Sequence, residues 1–296
     1  MTRVTVASAV LISAGLVACV GAPEIASPPP PRVAAPAPVP APAPRLTVTG
    51  QPIQGGILRG TASGGTLSLD GKPVSIAPDG AFLIAFDRDA GPSALLVLTA
   101  SNGTRAERPL AVAPRDWPIE RVDAPYRAGK TDAEFAALRP AELAQIVAAR
   151  AKVSDAAGWR QDLRWPAVGR LSGRFGAQRV YQGKPGSYHS GADVAVPTGT
   201  VVTAPADGVV ILAAARPFTL EGNLLMLDHG GGLNSALLHL SRIDVVVGQH
   251  VRQGQPIALS GATGRATGPH VHWSLQWQGA KLDPLLVAGV PVENAR

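Results

Sequence analysis

Five side chains toward the C-terminus could together do metal chemistry. His189 and Asp193 stand four apart in His189-Ser190-Gly191-Ala192-Asp193, and His270 and His272 stand two apart in Gly268-Pro269-His270-Val271-His272-Trp273. With His239 between them they take four of the six histidines in the chain. Imidazole and carboxylate are zinc ligands, and a catalytic zinc site needs three such protein ligands with a fourth position open for water. Spacing alone also allows a plainer reading, in which each histidine is structural or solvated, because the pattern is less specific than a zinc-finger array. No glutamate lies in a His-Glu-x-x-His helix, so a hydrolytic site here must use histidine as its base.

Strands can position these groups. Side chains at i and i+2, or i and i+4, share one face of a strand. Val271 to Trp277 is rich in β-formers and predicts a strand that sets His270 and His272 side by side. His189 and Asp193 can converge likewise, with Gly191 marking a bulge or a close backbone approach. Trp165-Pro166 opens this glycine-rich β region. Asp207-Gly208 signals a hairpin, and Gly230-Gly231-Gly232 reads as a turn rather than a phosphate loop, since no helical pattern follows it. His229 is expected to shape that turn and His250 to sit in solvent. Asp228 and Asp244 are candidates for carboxylates that orient a ligand imidazole.

The N-terminus reads as a processing segment. Arg3 precedes an apolar run, Val4 to Val17, which ends in Leu16-Val17-Ala18-Cys19. This resembles the lipobox of bacterial lipoproteins, where cleavage before the cysteine is followed by lipidation of its thiol; an ordinary secretory signal is the alternative. Cys19 is the only cysteine, which excludes disulfides within the chain. Ala22 to Pro44 is dense in Pro, Ala and Val and favours extended polyproline II, at about 3 Å per residue. It reads as a stalk. The formal charge is +6, from 27 basic and 21 acidic residues, which suits an anionic polymer or membrane surface. Aromatic residues are 4% of the chain and no basic run is interleaved with them, so nucleic acid is not an expected partner.

Between stalk and histidines lie two further segments. Leu46 to Val112 has short β-prone runs separated by Asp70-Gly71, Pro78-Asp79-Gly80 and Asn102-Gly103. That rhythm predicts a small Ig-like sandwich, serving either as a binding or positioning module or as a spacer. Trp117 to Tyr126 reads as extended. Asp132 to Ala156 reads as helical, with Pro140 expected to open a second helix after Leu138-Arg139. This segment either packs over the site or joins the domains.

Phe175-Gly176, His189-x-Gly191-x-Asp193, the run Val201 to Val210, Leu227-Asp228-His229-Gly230, Leu238-His239-Leu240-Ser241, Gly254-Gln255-Pro256-Ile257 and Gly268-Pro269-His270-Val271-His272 follow one another in order. Together they resemble the LytM-type (lysostaphin-like) peptidoglycan endopeptidases over roughly residues 165 to 285. The resemblance implies a compact antiparallel β domain with one zinc ion per chain, held by His189, Asp193 and His272. His239 and His270 would be the catalytic histidines, His270 as general base and His239 at the oxyanion. Two departures are Leu237, where many relatives have Tyr, and an extra residue between Gly176 and Arg179.

The whole chain is therefore expected to be mainly β. Its order is a signal (1–18), a stalk (19–45) lipidated at Cys19, an Ig-like β domain (46–113), a connector with helices (114–164), the catalytic domain (165–285) and a tail (286–296). The implied function is zinc-dependent cleavage of peptide cross-links in bacterial peptidoglycan during cell-wall remodelling. A non-catalytic peptidoglycan-binding activator of a wall amidase is the alternative. Implied partners are peptidoglycan, a membrane reached through the lipid, and cell-division or wall-remodelling proteins. Val20 after Cys19 points to an exported protein on the outer membrane, facing the periplasm.

Overall fold

The computed structural model describes residues 44–122 and 132–291. The signal-like segment, Cys19 and the proline-rich run up to residue 43 lie outside the described residues, as do residues 123–131.

The first module contains strands β1 (Leu46–Thr49), β2 (Ile57–Ala62), β3 (Thr66–Leu69), β4 (Lys72–Val74), β5 (Ala81–Ala85), β6 (Ser93–Thr99) and β7 (Arg105–Ala111). They form two antiparallel sheets, ordered β1-β2-β5 and β4-β3-β6-β7. Period-two patterning sets the inner face: Ala94, Leu96 and Leu98 of β6 and Leu67 and Leu69 of β3 are buried in the same apolar core as Phe82 and Ile84. Asp70 and Gly71 both have positive φ, 48° and 77°, which is the tight-hairpin geometry that joins β3 to β4.

The connector, read as extended over residues 117–126, is a strand over 119–122, and its residues 123–126 lie outside the described residues. Its strand β8 (Ile119–Val122) pairs in parallel with a strand of the C-terminal module. The expected helix break is absent: α1 (Asp132–Arg150) runs through Pro140. A proline inside a helix removes one hydrogen bond and costs about 3 kcal/mol. Here Pro140 and Ala136, whose carbonyl loses its partner, are both exposed, so water can meet the orphaned carbonyl. Glu142, Ile146 and Ala149 form a buried stripe that docks the helix and offsets the loss.

The C-terminal module continues with β9 (Arg170–Gly173), β10 (Gln178–Tyr181), β11 (Lys184–Tyr188), β12 (Ala192–Ala195), β13 (Val201–Thr203), β14 (Gly208–Ala213) and β15 (Asn223–Asp228). It ends with β16 (Leu233–Leu240), β17 (Arg242–Ile243), β18 (His250–Val251), β19 (Pro256–Leu259), β20 (Val271–Trp277), β21 (Ala280–Leu282) and the short helix α2 (Pro284–Ala288). The large sheet has the order β18-β14-β15-β16-β20-β12-β9, with β21 also on β20. Two small sheets, β11-β10-β8 and β13-β19-β17, flank it.

The two faces of the large sheet have different tasks. Leu225, Leu227, Leu237 and Trp273 face the main core, where Trp165 meets Trp273 edge-on at 5.2 Å. On the other face α1 packs Ile146 and Ala149 against Ile211, Leu224, Met226 and Ala236. That covers β14, β15 and β16. The adjoining part of the same face, over β20 and β12, is left for the polar groups described below. The described residues belong to one compact unit. Arg59 of β2 donates to the carbonyls of Trp159 (3.2 Å) and Gln161 (2.7 Å), and Arg115 pairs with buried Asp283 at 2.8 Å.

Candidate metal centre

Strand register brings the first two groups together. Asp193 on β12 lies directly opposite His272 on β20 in the antiparallel ladder. His189 follows the end of β11 and reaches the same point. His189 Nε2 is 3.0 Å from Asp193 Oδ1 and 2.9 Å from His272 Nδ1, and His272 Nδ1 is 2.8 Å from the same oxygen. All three residues are buried. Two glycines make the room. A Cβ on Gly191 would collide with the Trp273 carbonyl, and one on Gly173 with Asp193 Oδ2. The close backbone approach expected at Gly191 is thus present.

The chemistry of this triangle calls for a cation. His189 Nδ1 lies 2.9 Å from the Arg174 carbonyl, so it must carry the proton and donate it there. Nε2 is then a bare lone pair facing a carboxylate oxygen and a second imidazole nitrogen. Burial works against the charge on Asp193, but the adjoining His189 and His272 rings outweigh it and hold the carboxyl well below its ordinary range. Burial also lowers the pKa of His272, against the pull of Asp193. A tetrahedral Zn2+ with bonds of about 2.0–2.1 Å separates its donors by about 3.3 Å, so a small adjustment of these side chains fits the ion.

The other two histidines stand beside this triangle. His270 Nε2 is 3.8 Å from Asp193 Oδ1, and the His239 and His270 rings are 4.7 Å apart between centroids. His270 precedes β20, two residues before His272, and so shares its face, as the spacing predicts. His239 arrives by a different device. Strict alternation along β16 would turn it toward Leu237 and the core. The ladder between β15 and β16 instead slips at this point, and His239 takes a φ of +62°. This bulge re-aims the ring into the groove. Nδ1 of His239 donates to the Thr263 carbonyl and Nδ1 of His270 to the Gly268 carbonyl, both at 2.8 Å. Each Nε2 is therefore a lone pair when the ring is neutral. Burial, followed by repulsion from His272 and His270, pushes the pKa of His239 down to about 3.

The five groups line a groove of about 400 Å³. One wall is the small sheet, through Glu120, Arg179 and Tyr181; the other includes Leu220, Glu221 and Arg265. Helix α1 reaches the groove through Arg139. Its Arg139 grips Glu221 with two bonds of 2.6 and 2.7 Å at the rim.

The remaining sequence candidates lie elsewhere. His229 is fully buried, bonded to the Asp207 carbonyl (2.8 Å) and to Ser235 Oγ (2.7 Å). His250 is exposed on β18. Asp228 does not orient a ligand imidazole, because its carboxylate serves Ser154, Gly230 and Asn234. Asp244 pairs with Arg242 on the surface. Leu237 is buried in the core. Sequence reasoning gave no role to Arg179, Glu120 or the Thr263 carbonyl. Arg179 had a signal in the Phe-Gly-Ala-Gln-Arg run, whereas Glu120 is visible only through the β8–β10 pairing.

Comparison with known proteins agrees with this geometry. Residues 187–284 match Peptidase family M23. The chain is 38% identical over 135 residues to the Vibrio cholerae protein named peptidoglycan DD-endopeptidase ShyA, covering 45% of this chain and 30% of that one. ShyB of the same organism is 41% identical over 107 residues, covering 36% and 24%. The chain therefore spans under a third of the length of these curated relatives. A solved Pseudomonas aeruginosa structure described under peptidase M23 superposes with a TM-score of 0.63 at 29% identity, over 82% of this chain and 96% of its own. That span reaches well before residue 187, so the likeness includes parts of the chain outside the family match. The stretch that matches peptidase family M23 is thus the one that carries His189, Asp193, His239, His270 and His272.

Proposed function

We propose that the protein is a zinc-dependent endopeptidase that cuts peptide cross-links of bacterial peptidoglycan. The observation that carries this is the convergence of His189 Nε2, Asp193 Oδ1 and His272 Nδ1 beside two further imidazoles that each commit Nδ1 to a backbone carbonyl and line the same groove. In this reading His189, Asp193 and His272 hold one Zn2+, which supplies Lewis acidity toward a peptide carbonyl and toward water. His270 is the general base: its Nδ1–H is committed to the Gly268 carbonyl, which leaves Nε2, 3.8 Å from Asp193 Oδ1, to accept the proton. The same ring then returns the proton to the departing amine. His239 faces the developing oxyanion. With Nδ1–H already donated to Thr263, it can only donate from Nε2 as an imidazolium. Burial opposes that charge and the oxyanion offsets the opposition.

Digestion of purified peptidoglycan tests the reading. The expected result is that cross-linked muropeptides fall to uncross-linked ones, that a chelator stops this, and that added Zn2+ restores it. Intact cross-links in the presence of zinc-loaded protein, with stimulation of a wall amidase instead, would replace this reading by the activator alternative.

A further inference from the structure

Asp193 is held from more sides than its partners in the donor triangle require. Oδ1 faces His189 and His272, while Oδ2 receives Arg179 Nη2 at 3.2 Å and rests in the slot left by the missing side chain of Gly173. Arg179 is itself fixed. Its Nε lies 3.3 Å from Glu120 Oε2, and the parallel pairing of β8 with β10 sets Glu120 directly opposite Arg179. Both residues lie outside the stretch that matches the family, residues 187–284.

We propose that Arg179, anchored by Glu120 on the connector strand, is a positioning residue for the metal-ligating carboxylate. It occupies Oδ2 and so limits Asp193 to one-oxygen ligation through Oδ1. A carboxylate free to turn would offer both oxygens to the ion and fill a position that substrate or water must use. The proposal rests on the metal reading above. It goes beyond that reading by making the connector part of the metal centre, so that the centre depends on β8 staying docked on β10.

The test uses the full chain as parent, Arg179→Met, Arg179→Lys and Glu120→Gln. Zn2+ affinity is measured by competition with a chelator, the visible spectrum is recorded with Co2+ in place of zinc, and kcat and KM are measured on cross-linked muropeptides. Unfolding of the metal-free proteins checks the fold. Arg179→Met is expected to bind Zn2+ and turn over about 10–100-fold more weakly, with KM held. Its cobalt bands should weaken as a second oxygen joins the ion. Glu120→Gln should move the same quantities by less, and Arg179→Lys should recover part of the loss. A folded Arg179→Met with the parent's zinc affinity and cobalt spectrum but a raised KM overturns the proposal and makes Arg179 a substrate contact. A parent chain that takes up no zinc would instead remove the metal reading itself.

Discussion

His239 and His270 each donate Nδ1–H to a backbone carbonyl and present Nε2 to the same groove, yet their surroundings divide the work. His239 is buried among imidazoles and resists a proton, while His270 has the Asp193 carboxylate at 3.8 Å. Neither ring belongs to the donor triangle. His270→Ala and His239→Ala should therefore keep one zinc per chain and lose about two to four orders of magnitude in kcat, the usual size of a lost base or oxyanion donor. Metal analysis and single-turnover rates check this, and loss of zinc from His270→Ala would mean that the roles within His270-Val271-His272 are exchanged. The residue types and spacings were legible in the sequence because strand periodicity governs them. The tautomers were not, since they depend on which carbonyl each ring meets after folding. Glu120 was invisible for the same kind of reason: it lies 59 residues from Arg179 and meets it only through a parallel strand pair.

At the scale of elements, the site exists because β12 and β20 come together closely at a glycine. A side chain at Gly191 would press on the Trp273 carbonyl and sit 2.7 Å from His272 Nε2. Gly191→Ala should destabilise the fold by about 1–3 kcal/mol, the usual cost of overpacking. It should also weaken zinc binding, because the displaced ring is a proposed ligand. Denaturant unfolding with chelator competition measures both, and unchanged zinc affinity would contradict the close-approach argument. The strand at Val271–Trp277 and the β rhythm of the first module followed directly from local patterns. Two features depended on tertiary context. The bulge at His239 has no glycine or proline to announce it, only a neighbouring ladder that slips. Pro140 reads locally as a helix start, but docking of the Glu142, Ile146 and Ala149 stripe carries α1 through it.

For the whole molecule, burial of neutral histidines makes stability depend on pH. Burial lowers the pKa values of His229, His239 and His272 below the ordinary histidine value. Above pH about 6.5 these rings are neutral in both folded and unfolded chains, and they add no penalty. As pH falls below that, the unfolded chain takes up protons that the fold refuses. Stability then drops by up to about 1.4 kcal/mol per pH unit for each ring, over a window that for His239 extends down to about pH 3. Asp193 adds its loss lower still, because its depressed pKa stabilises the fold only above the ordinary carboxyl range. The metal-free protein should melt at nearly constant temperature from pH 8 to 7 and at clearly lower temperature by pH 5. A midpoint unchanged down to pH 5 would mean that these rings are charged in the fold. Metal-free protein is needed because protonation of the ligands would also release zinc. The most direct measurement of the central claim is zinc content per chain, by elemental analysis after dialysis against a weak chelator, for the parent and for Asp193→Ala. One zinc in the parent and none in the variant, with activity on cross-linked muropeptides lost alongside, is the expected result. An Asp193→Ala protein that keeps a full, tightly held zinc would contradict the assignment of His189, Asp193 and His272 as the metal centre.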